Sequence, residues 1–148
     1  MSRFTPRDPD FEAKIRESVT RQGFAAHLGY ELTRIEPGMT EFTCPLRPEL
    51  MQQHGFAHGG LVSTLADAAA AYAAFSLMPP NSAPLTVEMK INLMAPGQGD
   101  ALVARGVVLK PGRTLTVCEA KVYATRQLGE TLIATALVTM MCMEGRQD

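Results

Sequence analysis

Phe11, Ile15 and Val19 recur at helical spacing, while Glu12, Lys14, Arg16, Glu17 and Arg21 fill the opposite side. The pattern predicts a short amphipathic helix from about Asp10 to about Arg21. Phe24 and Leu28 continue the apolar spacing, and Gly23 and Gly29 punctuate its end. Tyr30 to Ile35 reads as a strand, and Pro37-Gly38 as a turn. From Met39 to Leu46 the pattern alternates, with Phe42, Cys44 and Leu46 on one face and Glu41 and Thr43 on the other. The two segments predict a hairpin.

A loop containing Pro45, Pro48, Gly55 and Gly59 then leads into a different pattern. From Gly59 to Val87, Asp67 is the only charged residue, and the stretch Ala66 to Ala74 is alanine apart from Asp67 and Tyr72. This predicts a long helix, apolar nearly all round and therefore buried, ended by Pro79-Pro80-Asn81. A lone acid in such a helix costs several kcal/mol in raw desolvation unless it has partners or a task. The rest of the chain reads as β. Val87, Met89, Ile91 and Leu93 alternate with Glu88, Lys90 and Asn92 before Pro96-Gly97. Ala101 to Leu109 and Arg113 to Thr125 are further strands, separated by Pro111-Gly112. After a turn at Leu128-Gly129, Thr131 to Met143 is nearly all apolar, as expected of a central strand covered on both faces.

One helix rich in small side chains and a sheet with one apolar face to cover predict an α+β fold. In it an antiparallel sheet of about six strands wraps a long central helix. No repeat or linker divides the chain, so residues 1–148 are read as one domain, with 1–25 as an N-terminal helical segment.

The bulk numbers exclude more than they assign. Of 148 residues, 46% are hydrophobic and 20% charged, and the net charge of −1 supplies no field for nucleic acid or an anionic membrane. Cys44, Cys118 and Cys142 lie far apart and read as reduced core thiols rather than metal ligands or a disulfide framework. The polar stretch Met1 to Asp10 has no apolar h-region, so it is not read as a secretory signal. Leu61 to Met78 approaches membrane length, but Asp67, Ser63 and Thr64 argue against a span. The expected compartment is the cytoplasm.

The segment Gly55-Phe56-Ala57-His58-Gly59-Gly60, with Asp67 and the alanine-rich helix, resembles the hotdog-fold thioesterases of the phenylacetic-acid-degradation (PaaI-like) type. Thr86-Val87-Glu88-Met89-Lys90-Ile91 and Gly112-Arg113-Thr114-Leu115 add to the likeness, which spans roughly residues 25 to 143. The resemblance implies a hotdog fold and hydrolysis of acyl-coenzyme A thioesters without metal or cofactor. It also implies a homodimer as basic unit, with a dimer of dimers expected. Many relatives carry Asn six residues before the His of the H-G-G, where this chain has Gln52. Other hotdog thioesterases use Gln there, so the departure bears on substrate subclass.

Thioester hydrolysis needs a polarised carbonyl, an activated nucleophile and a held leaving group. Backbone N–H groups at a helix N-terminus carry partial positive charge and lack intrahelical partners. Gly59 N–H is the candidate oxyanion donor, and Gly60 lets the thioester approach. Asp67 is the candidate general base or carboxylate nucleophile. It lies eight residues beyond Gly59, about 12 Å along the helix axis. Both groups must reach one reacting centre. Two antiparallel copies of the helix across a two-fold axis satisfy this where one helix cannot, so the site is expected to be shared between subunits.

The resemblance assigns Gln52 as a second carbonyl donor and Thr86 as a partner that orients water with the acid. His58 is expected to align the loop by hydrogen bonding, while His54 and His27 read as loop and helix-end residues. Ser63 lacks the G-x-S-x-G context of a Ser-His-Asp hydrolase. Lys90, Lys110, Arg113 and Arg126 are candidates for the coenzyme A phosphates. Tyr72 and Phe75 are expected to line an acyl pocket between subunits. Two other readings stay open: a hotdog dehydratase or hydratase, against which the lack of an H-F-P-type His motif counts, and a non-catalytic acyl-CoA binder.

Overall fold

The computed structural model describes residues 3–146 and 148. Its helices α1 (Phe11–Arg21) and α2 (Gly23–Leu28) precede a hairpin of β1 (Glu31–Glu36) and β2 (Met39–Pro45). A short 3-10 turn, Pro48–Leu50, leads to α3 (Gly59–Phe75). Four strands follow: β3 (Ser82–Leu93), β4 (Ala101–Lys110), β5 (Leu115–Arg126) and β6 (Gly129–Glu144). All strand pairs are antiparallel, in the order β1-β2-β4-β5-β6-β3. Helix α3 lies against β2 to β6, so the predicted architecture of six strands around one long helix is the observed hotdog fold.

Small residues bring the sheet onto the helix. A Cβ at Gly106 would stand 2.2 Å from the carbonyl oxygen of Ala69, a distance no side chain tolerates. Thr40 on β2 donates from its buried hydroxyl to that same oxygen at 2.8 Å. The helix ends at Ser76, whose hydroxyl donates to Ala73 O at 2.6 Å and accepts from Gly38 N–H at 2.7 Å. Helix end and β1–β2 turn are thus tied by one side chain.

Two expectations need correction, and one helix was not anticipated. The helix expected from about Asp10 to about Arg21 is α1, but a second helix, α2, follows it directly. Gln22 takes an extended conformation, Gly23 begins α2, and the left-handed Gly29 (φ 80°) caps it. Strand β6 lies inside the sheet but is not covered on both faces, since Leu132 and Leu137 are exposed. Only the face toward α3 is packed by the chain itself. Strand β3 does not alternate uniformly either. Thr86 pairs with Met140 and Glu88 with Thr139, leaving Val87 as an unpaired bulge residue. The inward parity therefore switches from Thr86 to Met89 and Ile91, and Val87 and Leu93 are exposed.

The three cysteines are free and buried. Burial pushes the Cys118 thiol up to about 12. Among the described residues no helix is long and apolar enough to cross a membrane.

Candidate active site

The loop into α3 is a small hairpin. His58 N–H donates to Leu50 O at 3.0 Å and Gln52 N–H to Phe56 O at 2.8 Å, with Met51 bridged to Ala57 between them. Gly55 turns it at φ 80°. The hairpin aims residues 58–60 into the helix start. His58 is the N-cap: its Nδ1 accepts from Gly60 N–H at 2.9 Å. This fills one of the orphan donors of the first turn. Gly59 N–H has no acceptor among the described residues. Of the two glycines, only Gly59 thus offers a free donor. A Cβ at Gly60 would meet His58 Nδ1 at 2.9 Å, so the cap requires glycine there.

Eleven of the seventeen residues of α3 are buried. The more open positions include Gly60, Ser63, Thr64, Asp67 and Ala71, all on one stripe at helical spacing. Asp67 is half-buried on this stripe, not sealed in the core. Thr86 Oγ1 donates to its Oδ1 at 2.7 Å. The other oxygen, Oδ2, has no hydrogen-bond partner among the described residues. The acid is therefore held on one side and open on the other. Tyr30 is also near in electrostatic terms. Burial first, then the neighbouring Tyr72 and the Asp67 carboxylate, push its phenol up to about 12.

Gln52 lies in the hairpin before the helix. Its Oε1 accepts from His54 N–H, leaving the amide nitrogen without a partner among the described residues. Within one chain Asp67 and Thr86 meet, and His58, Gly59 and Gly60 meet, but the two groups stand apart along α3. Ser63 Oγ donates back to Gly59 O at 2.8 Å, an ordinary helical back-bond.

The expected acyl-pocket residues are not on this stripe. Tyr72 is 3% exposed, with its hydroxyl 3.0 Å from Ser18 Oγ and accepting from Gln22 Nε2 at 2.8 Å. Phe75 is fully buried with Lys14 Nζ 4.5 Å from its ring centre. Both face α1 in the core of the chain: Tyr72, five residues past Asp67, turns away from its side, and Phe75, about two turns past Asp67, packs against Lys14. The four candidate cations do not form one cluster. Lys90 is exposed on β3, while Lys110 and Arg113 flank the β4–β5 turn, Arg113 beside Leu77 and Met78. Arg126 lies at the opposite end of β5, donating to Gln98 O at 3.4 Å. It lines a cleft of about 590 Å³ with Met51 and Gly55. Among the described residues no cluster of His, Cys, Asp or Glu is placed to hold a metal ion.

Sequence reasoning missed Arg47. Its guanidinium donates to Leu28 O and His27 O, both at 2.7 Å, and clamps the end of α2 to the turn before the site. Nothing in the local pattern marks it, since the contact joins segments about twenty residues apart.

The sequence model of the thioesterase superfamily matches residues 54–131, from the H-G-G hairpin through α3 to the first residues of β6. A Halobacterium salinarum protein provisionally named an esterase is 30% identical over 118 residues, 76% of this chain and 78% of its own length. The crystal structure of a thioesterase family protein from Silicibacter pomeroyi is 46% identical, with a TM-score of 0.89 over 91% of this chain and 99% of that one. The structure of PaaI from the E. coli phenylacetic acid degradation operon shares the fold at a TM-score of 0.83 and 22% identity, covering 95% of this chain and 98% of that one.

Proposed function

Because the chain belongs to the thioesterase superfamily, we propose that it hydrolyses acyl-coenzyme A thioesters at a site shared by two copies of the chain. The observation that carries this reading is the Thr86–Asp67 hydrogen bond, which leaves Oδ2 open on the accessible stripe of α3. An acid fixed on one oxygen and free on the other suits a base that takes a proton from water. In the partner subunit, the H-G-G helix start supplies the free Gly59 N–H. The axial separation of about 12 Å within one helix favours this division.

In this reading the thioester carbonyl oxygen accepts from the partner subunit's Gly59 N–H, with Gln52 as second donor. Water, held by Thr86 and Asp67, attacks the carbonyl carbon and gives its proton to Asp67. The developing oxyanion is stabilised by the donors, one of which is typically worth about 3 kcal/mol of barrier. The C–S bond then breaks, and the thiolate of coenzyme A leaves and takes up a proton. Direct attack by Asp67, giving a mixed anhydride that water opens, reaches the same products. Lys90, Lys110, Arg113 and Arg126 are the cations offered to the phosphates of coenzyme A. The edge strand β3 supports a homodimer, since it ends the sheet and exposes Leu85, Val87 and Leu93. No cofactor takes part.

Release of free thiol from a panel of acyl-CoAs tests the reading. Turnover of at least one member, lost in Asp67→Asn, is the expected result. Binding of acyl-CoA without thiol release would replace hydrolysis by a binding role.

A further inference from the structure

Beside the start of α3 lies a second apolar feature. Phe24 and Leu28 of α2 face Leu50 and Met51 of the preceding turn and Leu61 of α3 across a cleft of about 350 Å³. Leu50 and Leu61 form a buried floor, while Phe24 is 58% exposed. At the rim stand His58 and Gly60, the residues on either side of Gly59. The walls are built, not incidental. Arg47 donates to the last carbonyls of α2 at 2.7 Å and so pins the Phe24–Leu28 wall to the turn carrying Leu50. These carbonyls are the ones a helix end leaves unpaired.

We infer that this cleft receives the acyl group of the substrate, and that Phe24 and Leu28 of α2 set which acyl groups are accepted. The inference rests on the proposed hydrolysis. A thioester carbonyl at Gly59 N–H has coenzyme A on one side and its acyl substituent on the other, and the apolar cleft opens beside that position. Its volume is at the small end of ligand pockets. It suits a single-ring aromatic or medium aliphatic acyl group better than a long fatty chain. The Glu49 carboxylate, which also borders the cleft, disfavours acyl groups that end in a second carboxylate. Both wall residues lie outside residues 54–131, so specificity would come from the part of the chain that the family model does not match.

The test has two arms. Wild type should show a kcat/KM for hexanoyl-CoA or phenylacetyl-CoA about tenfold or more above that for acetyl-CoA and succinyl-CoA. Phe24→Ala should shrink the hexanoyl-to-acetyl ratio by about tenfold, while Phe24→Trp, which keeps an apolar wall, should retain most of it. The second arm needs no turnover: calorimetry compares the thioether hexyl-CoA with free coenzyme A. Wild type should bind hexyl-CoA more tightly, and Phe24→Ala should remove most of that gain. Thiol release that fails with every acyl-CoA, with the hexyl gain intact and lost in Phe24→Ala, refutes hydrolysis but keeps the cleft. Turnover whose ratios are unmoved by Phe24→Ala refutes the cleft but keeps hydrolysis. A hexyl gain that is absent, or the same in wild type and Phe24→Ala, also overturns the cleft. Phe24→Ala that alters only the oligomeric state would mark this face as a contact between copies instead.

Discussion

Thr86 Oγ1 donates to Asp67 Oδ1 at 2.7 Å, joining the edge strand to the central helix. The bulge at Val87 makes the contact possible, since Thr86 faces inward with Ser82 before it, while beyond it Met89 and Ile91 face inward on the opposite parity. Removing the hydroxyl by Thr86→Val should leave the acid unoriented but still ionisable. The expected loss in kcat is about tenfold, the worth of one hydrogen bond to a charged group. Asp67→Asn keeps the size but removes the basicity, and should cost about 100-fold or more. Steady-state thiol release on both variants, with circular dichroism as a folding control, checks the order. Equal losses would mean that Thr86 does more than orient the acid.

His58 fixes the helix start through Nδ1, and Gly60 leaves room for it. His58→Ala should lower stability by about 1 kcal/mol, the usual cost of a lost N-cap, while His58→Asn should recover most of it. Gly60→Ala should resemble His58→Ala, because its methyl group displaces the imidazole. Urea melts of the three variants measure this. If His58→Asn were as unstable as His58→Ala, the cap would not be what the imidazole contributes.

The helix, the hairpin and the all-β remainder were legible because their periods differ and Pro-Gly pairs punctuate them. The lone Asp67 and the H-G-G were legible because charge and glycine are rare signals in an apolar run. The Thr86–Asp67 contact was legible only through family likeness, since a strand threonine carries no mark of its own. The bulge at Val87 was hidden: its apolar side chain completes a regular alternation, and only pairing with β6 reveals the extra residue. Tyr72 and Phe75 misled for a related reason. An all-apolar helix gives no phase, so the face that meets α1 cannot be told from the face left open. The exposure of Leu137 shows the same limit for β6, where apolar character alone does not say which face the chain covers.

Asp8 anchors the first helix. Its carboxylate lies 2.8 Å from Lys14 Nζ and accepts from Asp10 N–H at 3.0 Å. The hydrogen bond from Lys14 outweighs burial and holds its pKa below the ordinary 3.8. A carboxyl lowered on folding stabilises the protein above its unfolded value, and that contribution is lost as pH falls through the folded value. Asp8→Asn should therefore be less stable than wild type at pH 7, by about 1–2 kcal/mol. The gap should close as the pH drops below 3.8. Thermal melts across that range give the answer, and a gap that persists unchanged at low pH would assign the effect to packing rather than charge.

On one chain the acid pairs with Thr86 on β3 near the middle of α3, while the free Gly59 N–H starts that helix and Gln52 lies in the hairpin before it. If two helices run antiparallel across a two-fold axis, each site takes its acid from one copy and its donors from the other. An Asp67→Ala subunit paired with a Gln52→Ala subunit then forms one doubly defective site and one intact site. Refolding an equimolar mixture gives about half mixed dimers by random pairing. Activity should recover to about a quarter of wild type, provided each parent is nearly inactive. Differently tagged subunits, co-purified to prove that mixed dimers form, complete the measurement. Mixed dimers no more active than the average of their parents would place both groups in one subunit's site, and the dimer would then be structural only.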